Sequence, residues 1–460
     1  MVDRNPCPEP QTAASGRRLF LAQVGMLGAW AAAPAHAQFR VEVNDLGAAS
    51  IPISVATFST RGAGALVDVA AIVRDDLDRS ELFRRVAPPS PGPVNGLAPP
   101  DFATWRKQGA DFVVVGYMEA LANGRLSIEA SLWDVVRGGK EPLATIKRAP
   151  WLDGRKAGQI SEVRVAAHEI ADHFYAKLTG ERGVFATRIA FVRKEGPNNF
   201  TVVVADSDGD NQLIALRSTQ PIISPAWSPD GQTLAFVSYH LEDRPIIYTH
   251  QVYAEGVRPK AVASFRGSNS APAWTRSGPQ QIIAALSLAG GSHIYAIDPL
   301  GERGPRRLTR SSSIDTEPCC APGRQLIYFV SGDRDGRSPQ IYRMDFEGKG
   351  VELVTRKGSY NISPAISPDG KLMAYISLVG SAYKLHLMDL ETGDSRPLTD
   401  TTADESPSFA PNGKLILYET RSSRGRELLM TCTLDGRRNR ELAVQGADIR
   451  EPDWGPYHAA

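Results

Sequence analysis

The chain has 460 residues, 42% of them hydrophobic, and its 52 basic side chains almost balance 51 acidic ones. A formal net charge of +1 provides no global field for holding a nucleic acid or an anionic lipid surface, so we expect neither partner. The 41 glycines and 33 prolines favour tight turns between short strands, and therefore a largely all-β chain.

The first 37 residues have the pattern of a signal peptide. Arg17 and Arg18 precede an apolar run over residues 19–33, and small residues follow up to Ala37. That run is shorter than the roughly 20 residues that cross a bilayer. We therefore expect cleavage between Ala37 and Gln38, export to the periplasm, and no direct membrane insertion. The arginine pair leaves both Sec and twin-arginine export open.

Residues 38–180 predict an α/β domain. Strands are expected over residues 39–43, 52–58, 111–121, 125–135 and 143–151. Apolar residues at helical spacing predict long helices over residues 64–79 and 158–178, and a short helix is expected near Trp105.

A short motif, Ser-Pro-Ala-Trp-Ser-Pro-Asp-Gly in its fullest copy, recurs six times over residues 185–458. Its anchor prolines are Pro225, Pro272, Pro318, Pro364, Pro407 and Pro452. They recur about every 45 residues, which is the size of one propeller blade with four strands. Helical repeats are excluded because proline and glycine interrupt every unit.

The two ends of the repeat predict how the ring closes. Three strands over residues 188–217 precede the first anchor, whereas the sixth anchor has no strands after it. We expect the last strand to complete the blade that those three begin, which removes exposed strand edges. The predicted fold is an α/β N-terminal domain followed by an all-β six-bladed β-propeller.

The motifs that resemble catalytic or metal sites are better explained as structural. His168 and His173 are five residues apart and diverge around a helix, whereas a zinc-protease helix needs a spacing of four. Residues 206–211 lack the glycine and glutamate that an EF-hand requires at set positions. Ser395 lacks a complete nucleophile elbow and lies inside a blade. We expect no catalytic residue, no metal and no cofactor.

Polar residues recur in the connectors, the segments that cross from the last strand of one blade to the first strand of the next. They stand three residues before the anchor (Asn269, Asp315, Asn361, Asp404) or directly before it (Ser224, Glu317, Ser363, Ser406, Glu451). In a propeller the connectors surround one opening of the central channel, here called the connector mouth, which suits protein recognition. Alternatively, these groups only cap neighbouring backbone groups.

Four segments occur in an order that resembles the TolB family. They are residues 167–172 (Ala-His-Glu-Ile-Ala-Asp), 178–181 (Leu-Thr-Gly-Glu), 187–192 (Thr-Arg-Ile-Ala-Phe-Val) and 224–231. The resemblance covers essentially the whole mature chain. It implies a periplasmic, non-enzymatic component of the Tol-Pal system that acts in outer-membrane invagination during cell division and in outer-membrane integrity. A non-catalytic peptidase-related or ligand-binding propeller is the alternative, because many propellers share the Ser-Pro-Asp-Gly repeat.

The resemblance also implies partners. The connector mouth would bind the peptidoglycan-associated lipoprotein Pal, the mature N-terminal segment, residues 38–49, would bind TolA, and other envelope proteins are further candidates. The residues expected to meet Pal are Ser268, Asn269, Ala271, Asp315, Thr316, Glu317, Asn361, Ser363, Asp404, Glu405 and Glu451. Those expected to meet TolA are Gln38, Phe39, Arg40, Val41, Glu42 and Val43.

Overall fold

The computed structural model describes residues 50–62, 67–89, 98–152, 161–240, 244–288, 290–332, 334–336, 338–444 and 448–457. The predicted signal cleavage site, the strand expected over residues 39–43 and the expected TolA-binding segment lie outside these ranges. No helix among the described residues is long and apolar enough to cross a membrane.

The N-terminal part is a mixed sheet with helices. Its elements are β1 (Ile51–Val55), β2 (Ser59–Arg61), α1 (Val69–Arg79), β3 (Phe83–Arg85), α2 (Phe102–Lys107), β4 (Phe112–Ala120), β5 (Leu126–Asp134), β6 (Ala144–Arg148) and α3 (Glu162–Thr179). The sheet order is β3-β1-β4-β5-β6, with β1 parallel to both neighbours. Sequence analysis missed β2 and β3, because three residues are too few to show a period.

Both long helices begin later than their apolar pattern predicted. The Asp68 carboxylate accepts a backbone N–H three residues on, so α1 begins at Val69 and not at residue 64. The Ser161 hydroxyl caps α3 in the same way, so that helix begins at Glu162 and not at residue 158. It ends at Thr179 and is capped by Gly180, whose φ of 78° suits glycine.

The propeller begins with three strands that precede the first anchor, namely β7 (Arg188–Lys194), β8 (Phe200–Asp206) and β9 (Leu213–Ser218). Blades 1 to 3 follow as β10 (Ile222–Trp227), β11 (Thr233–Ser238), β12 (Ile246–Gln251), β13 (Lys260–Ala263); β14 (Asn269–Trp274), β15 (Ile282–Leu286), β16 (His293–Ile297), β17 (Arg306–Arg307); and β18 (Ile314–Cys320), β19 (Leu326–Gly332), β20 (Gln340–Asp345), β21 (Glu352–Leu353). A single 3₁₀ turn, Arg334–Gly336, follows β19.

Blades 4 and 5 repeat this order. They are β22 (Asn361–Ile366), β23 (Leu372–Val379), β24 (Ala382–Asp389), β25 (Ser395–Pro397); and β26 (Glu405–Phe409), β27 (Leu415–Arg421), β28 (Glu427–Thr433), β29 (Asn439–Glu441). Blade 6 consists of β30 (Asp448–Trp454) as its inner strand, followed outwards by β7, β8 and β9.

The ring closes as predicted. β30 pairs antiparallel with β7, with Trp454 opposite Ile189 in the register. The Trp454 indole N–H donates to the Thr187 hydroxyl at 2.8 Å, which fixes the last strand to the start of the propeller. Six sheets of four strands therefore form one ring, in which the last strand, β30, shares blade 6 with the first three strands of the propeller.

Large residues two positions past each anchor fill the space between neighbouring blades. They are Trp227, Trp274, Cys320, Ile366, Phe409 and Trp454, and all are buried. The Trp274 indole N–H also donates to the Ala226 carbonyl of the preceding blade at 3.1 Å. Close packing of these side chains fixes each blade against the next.

Candidate functional site

One backbone feature repeats around the connector mouth. The residue directly before each anchor proline has a positive φ between 48° and 52°. These six residues are Ser224, Ala271, Glu317, Ser363, Ser406 and Glu451. The left-handed region is uncommon for residues with a side chain, and the pairing register of the inner strand shifts at the same point in every blade. Strained backbone of this kind often marks a functional site.

The six left-handed residues surround a cavity of about 330 Å³ at the connector mouth. Five of the six anchor prolines and Glu405 complete its lining. The left-handed residues are half-buried and Glu405 is exposed, so these positions can be reached from solvent. The charged residues that line this cavity are Glu317, Glu405 and Glu451, all of them acidic.

Glutamates link neighbouring blades across the connector mouth. The backbone N–H and the hydroxyl of Ser363 donate to Glu317 Oε2 at 2.7 and 3.0 Å. The same groups of Ser224 donate to Glu451 Oε2, with the hydroxyl at 3.1 Å. Because the left-handed conformation turns the backbone N–H towards the preceding blade, the connector strain and the inter-blade bridges belong to one arrangement.

The carboxylates of the connector mouth have few positively charged side chains beside them. Burial raises the pKa of Glu419 to about 8, although the backbone N–H of Glu451 donates to it at 2.8 Å. Burial also raises the pKa of Glu317 and of Glu451. The nearby guanidinium of Arg450 is engaged with Glu427, at 2.9 Å for one contact. Perturbed carboxylates in a cleft are a common sign of a binding site.

The residues three positions before the anchor have another role. Asn269, Asp315, Asn361 and Asp404 are each 0% exposed. The side-chain N–H groups of Asn269 donate to the Phe265 carbonyl in the connector and to the Pro245 carbonyl before β12, each at 2.9 Å. The Asp404 carboxylate accepts a backbone N–H at 3.0 Å. The capping alternative therefore describes Asn269, Asn361 and Asp404, which bond to backbone groups. Asp315 accepts instead from the side chains of Ser311, Ser331 and Arg334.

The remaining expected Pal-binding residues are placed differently. Ser268 is half-buried in the connector before β14, and Thr316 is half-buried in β18, next to the left-handed Glu317. Sequence reasoning missed two apolar groups on this face, Ile314, which is 59% exposed, and Tyr383, which is 37% exposed and packs edge-on against Tyr360. Ile314 directly precedes a capping aspartate, so its place in the repeat was a usable signal.

A second carboxylate cluster, here called the junction cluster, joins the N-terminal part to blade 6. It contains Asp76 from α1, His168 from α3, Asp206 from the end of β8 and Asp208 from the turn that follows. His168 Nδ1 lies 2.7 Å from Asp76 Oδ2, and its Nε2 lies 3.3 Å from Asp206 Oδ2. The aspartate-rich sequence is a strand-connecting turn, as predicted, but sequence reasoning missed its contact with His168.

The junction cluster carries its own counter-ions. Arg164 lies 2.5 Å from Asp208, Arg188 lies 3.1 Å from Asp206, and Arg79 pairs with Asp76. Burial alone would lower the pKa of His168, but the two aspartates that face it raise that pKa to about 10. Three ligand-type atoms lie close together here. Because the arginines and a charged imidazole already neutralise them, the cluster is an ion-pair network.

A closed six-bladed propeller, an α/β domain joined to its last blade and an acid-lined connector mouth define a two-part propeller protein built around a channel. Family models bear this out, because residues 39–141 match the TolB amino-terminal domain and residues 175–458 match the TolB beta propeller domain. The chain belongs to the TolB family, and the resemblance seen in its sequence is confirmed.

Curated relatives extend over almost the whole chain. The Tol-Pal system protein TolB of a Polaromonas species is 51% identical over 92% of this chain and 95% of its own length. The protein of the same name from Bordetella pertussis is 41% identical over 96% of both chains. The crystal structure of TolB from Acinetobacter baumannii aligns with a TM-score of 0.76 at 34% identity, covering 89% of this chain and 97% of that one.

Proposed function

We propose that the chain is a periplasmic, non-enzymatic scaffold of the Tol-Pal system, with the connector mouth binding Pal and residues 38–49 binding TolA. Acting between inner-membrane and outer-membrane partners, it would take part in outer-membrane invagination during division and in outer-membrane integrity. The relatives' name and the signal-peptide pattern support this proposal.

The observation that carries the proposal is the ring of strained residues at the connector mouth. A strained backbone at the same position of all six blades costs folding free energy in each blade. The conformation brings carboxylates and backbone groups together at one opening, where a partner can reach them. Exposed apolar side chains beside acidic groups suit a protein interface.

Ser395 supports a non-enzymatic role. It is the residue nearest to a nucleophile elbow, and it lies on the outer strand β25. Its hydroxyl is 2.6 Å from the Tyr375 hydroxyl, within a single blade. His386 Nδ1 also lies 3.5 Å from that hydroxyl. A nucleophile elbow needs in addition a sharp, exposed strand-to-helix turn, and Ser395 lies in a strand instead.

The test measures the affinity of the full mature chain for the soluble domain of Pal. Glu405→Lys and Thr316→Arg change the rim of the connector mouth without touching the buried caps. We expect each to weaken binding by about tenfold or more, because charge reversal and added bulk act directly at the interface.

Glu391→Lys is the matched control, since Glu391 is exposed in a turn of blade 4, away from the connector mouth. It should bind like the wild type. Unchanged affinity in both mouth variants, or an equal loss in the control, would contradict the proposed site.

A further inference from the structure

The channel has a second cavity at the end opposite the connector mouth. This turn-side cavity has a volume of about 430 Å³ and is lined by the six anchor prolines, the five prolines four residues further on, and Trp227, Trp274 and Trp454. Its size lies in the range of small-molecule sites, roughly 300 to 1,000 Å³. The wall is mostly apolar, and rigid because proline rings build so much of it.

One residue breaks the pattern of the wall. Four residues past the anchor the other blades have proline, but blade 2 has Arg276, which lines the turn-side cavity. Within the described residues its guanidinium makes no ion pair and no hydrogen bond. Its five N–H donors are therefore available to a ligand.

The acidic residue of the cavity does not neutralise Arg276 by direct contact. Asp453 accepts the backbone N–H of Trp227 at 2.7 Å and the Ser408 hydroxyl at 2.8 Å, so both of its oxygens are engaged. Burial raises the pKa of Asp453, and the charge of Arg276 opposes that rise without an ion-pair contact between the two described side chains. The Trp227 indole N–H is also buried without a hydrogen-bond partner among the described residues.

We propose that the turn-side cavity binds a small organic carboxylate, with the carboxylate on Arg276 and the apolar body of the ligand against the proline and tryptophan wall. Proline has no N–H, so the eleven prolines of the wall cannot donate to an anion, and the guanidinium is the group suited to hold one. An apolar wall also strengthens a charge pair by excluding water. The two cavities share five anchor prolines and Ser406, but Arg276 lines only the turn-side cavity.

The test compares hexanoate with hexanamide, which has the same carbon chain without the charge. Binding to the full mature chain is followed by the indole N–H resonances of isotope-labelled tryptophan, three of which belong to the cavity wall. We expect hexanoate to bind about tenfold more tightly than hexanamide, a difference of about 1.4 kcal/mol. Hexanoate should shift the Trp227 resonance.

Arg276→Pro restores the residue found in the other blades. It should remove the tenfold preference for hexanoate and leave hexanamide binding unchanged. Arg324→Gln is the matched control, because Arg324 is an exposed arginine at the corresponding turn of blade 3 and does not line the cavity. Equal binding of both probes to the wild type, or a preference that persists in Arg276→Pro, would overturn the proposal.

A peptide with an apolar C-terminal residue, compared as free acid and as amide, identifies the source of the carboxylate. Tighter binding of the free acid than of hexanoate would assign the cavity to chain ends, and weaker binding would assign it to free acids. Pal affinity in Arg276→Pro should equal that of the wild type, which separates this inference from the proposed function.

Discussion

The junction cluster and the connector mouth both gather carboxylates, but they balance the charge in opposite ways. At the junction, Asp206 and Asp208 face His168 and arginines, and these cations lower the pKa of Asp208 although burial alone would raise it. At the mouth, burial raises the pKa of Glu419, and neighbouring glutamates raise it further. The first arrangement stabilises a permanent contact within the chain. The second holds charge that a partner's donors can stabilise.

The largest expected effect tests the junction. His168→Ala leaves the buried carboxylates of Asp76 and Asp206 without the group that bridges them. Removing one partner of a buried ion pair costs about 3 to 5 kcal/mol. We expect a loss of that size in the free energy of unfolding, measured with urea. His173→Ala is the control, because His173 is exposed on the same helix and should cost no more than about 0.5 kcal/mol.

The same histidine predicts a pH dependence. Its pKa of about 10 in the folded chain lies above the usual value of about 6.5. The stability that protonated His168 contributes is therefore fully present below about pH 6.5 and is lost as pH rises through about 10. The free energy of unfolding, measured with urea across that window, should fall in the wild type and change less in His168→Gln. If the free energy of unfolding changed with pH in the same way in both proteins, the junction would not depend on a charged imidazole, and the contrast with the connector mouth would be wrong.

Glu419 at the connector mouth predicts a loss of stability at a lower pH than His168 does. The pKa of Glu419 is about 8 in the folded chain and about 4.3 in an unfolded one. Its contribution is present below about pH 4.3 and is lost as pH rises through about 8. Glu419→Gln keeps an acceptor for the Glu451 N–H and should be more stable than the wild type near pH 8, by about 1 kcal/mol or more.

Glu427→Gln is the matched variant for the connector mouth. Glu427 pairs with Arg450, so its neutralisation should lower the free energy of unfolding near pH 8. If both glutamine variants shift stability in the same direction, the mouth is not short of cations and the contrast with the junction disappears.

The smallest effect concerns backbone strain at the connector mouth. Ala271→Gly removes a side chain from a left-handed residue and should stabilise the chain by about 1 kcal/mol, measured as a rise in melting temperature. Ala273→Gly, in the same strand but without a positive φ, should destabilise it by about 0.5 to 1 kcal/mol. A loss in both variants would mean that the left-handed conformation costs little.

Most of the propeller could be predicted because its signal is local and repeated. Each anchor proline has the same neighbours, so the inner strand, the turn and the buried column at Trp227 or Phe409 follow from position in the repeat. The helix starts were predicted less well. A capping residue such as Asp68 acts through one hydrogen bond, which an apolar pattern does not encode.

The sequence predicted where the candidate site lies, but not which of its polar residues reach the channel. The repeat predicted that the connectors lie around one mouth, yet the most regular polar residues, such as Asn269 and Asp404, are buried caps. The residues directly before the anchors reach the channel instead, because their left-handed backbone rotates them there. Two chain positions therefore separate a structural residue such as Asn269 from a candidate binding position such as Ala271.

The sequence by itself determined the number of blades, the closure of the ring by the last strand and the membership of the TolB family, because each rests on a pattern repeated along the chain. Only the tertiary structure decided that Asp76, His168 and Asp208 meet at the junction and that Arg276 stands alone in a proline-walled cavity. The physical reason is that charge balance depends on neighbours in space. Those neighbours are set only when the ring closes and the N-terminal part packs against its last blade.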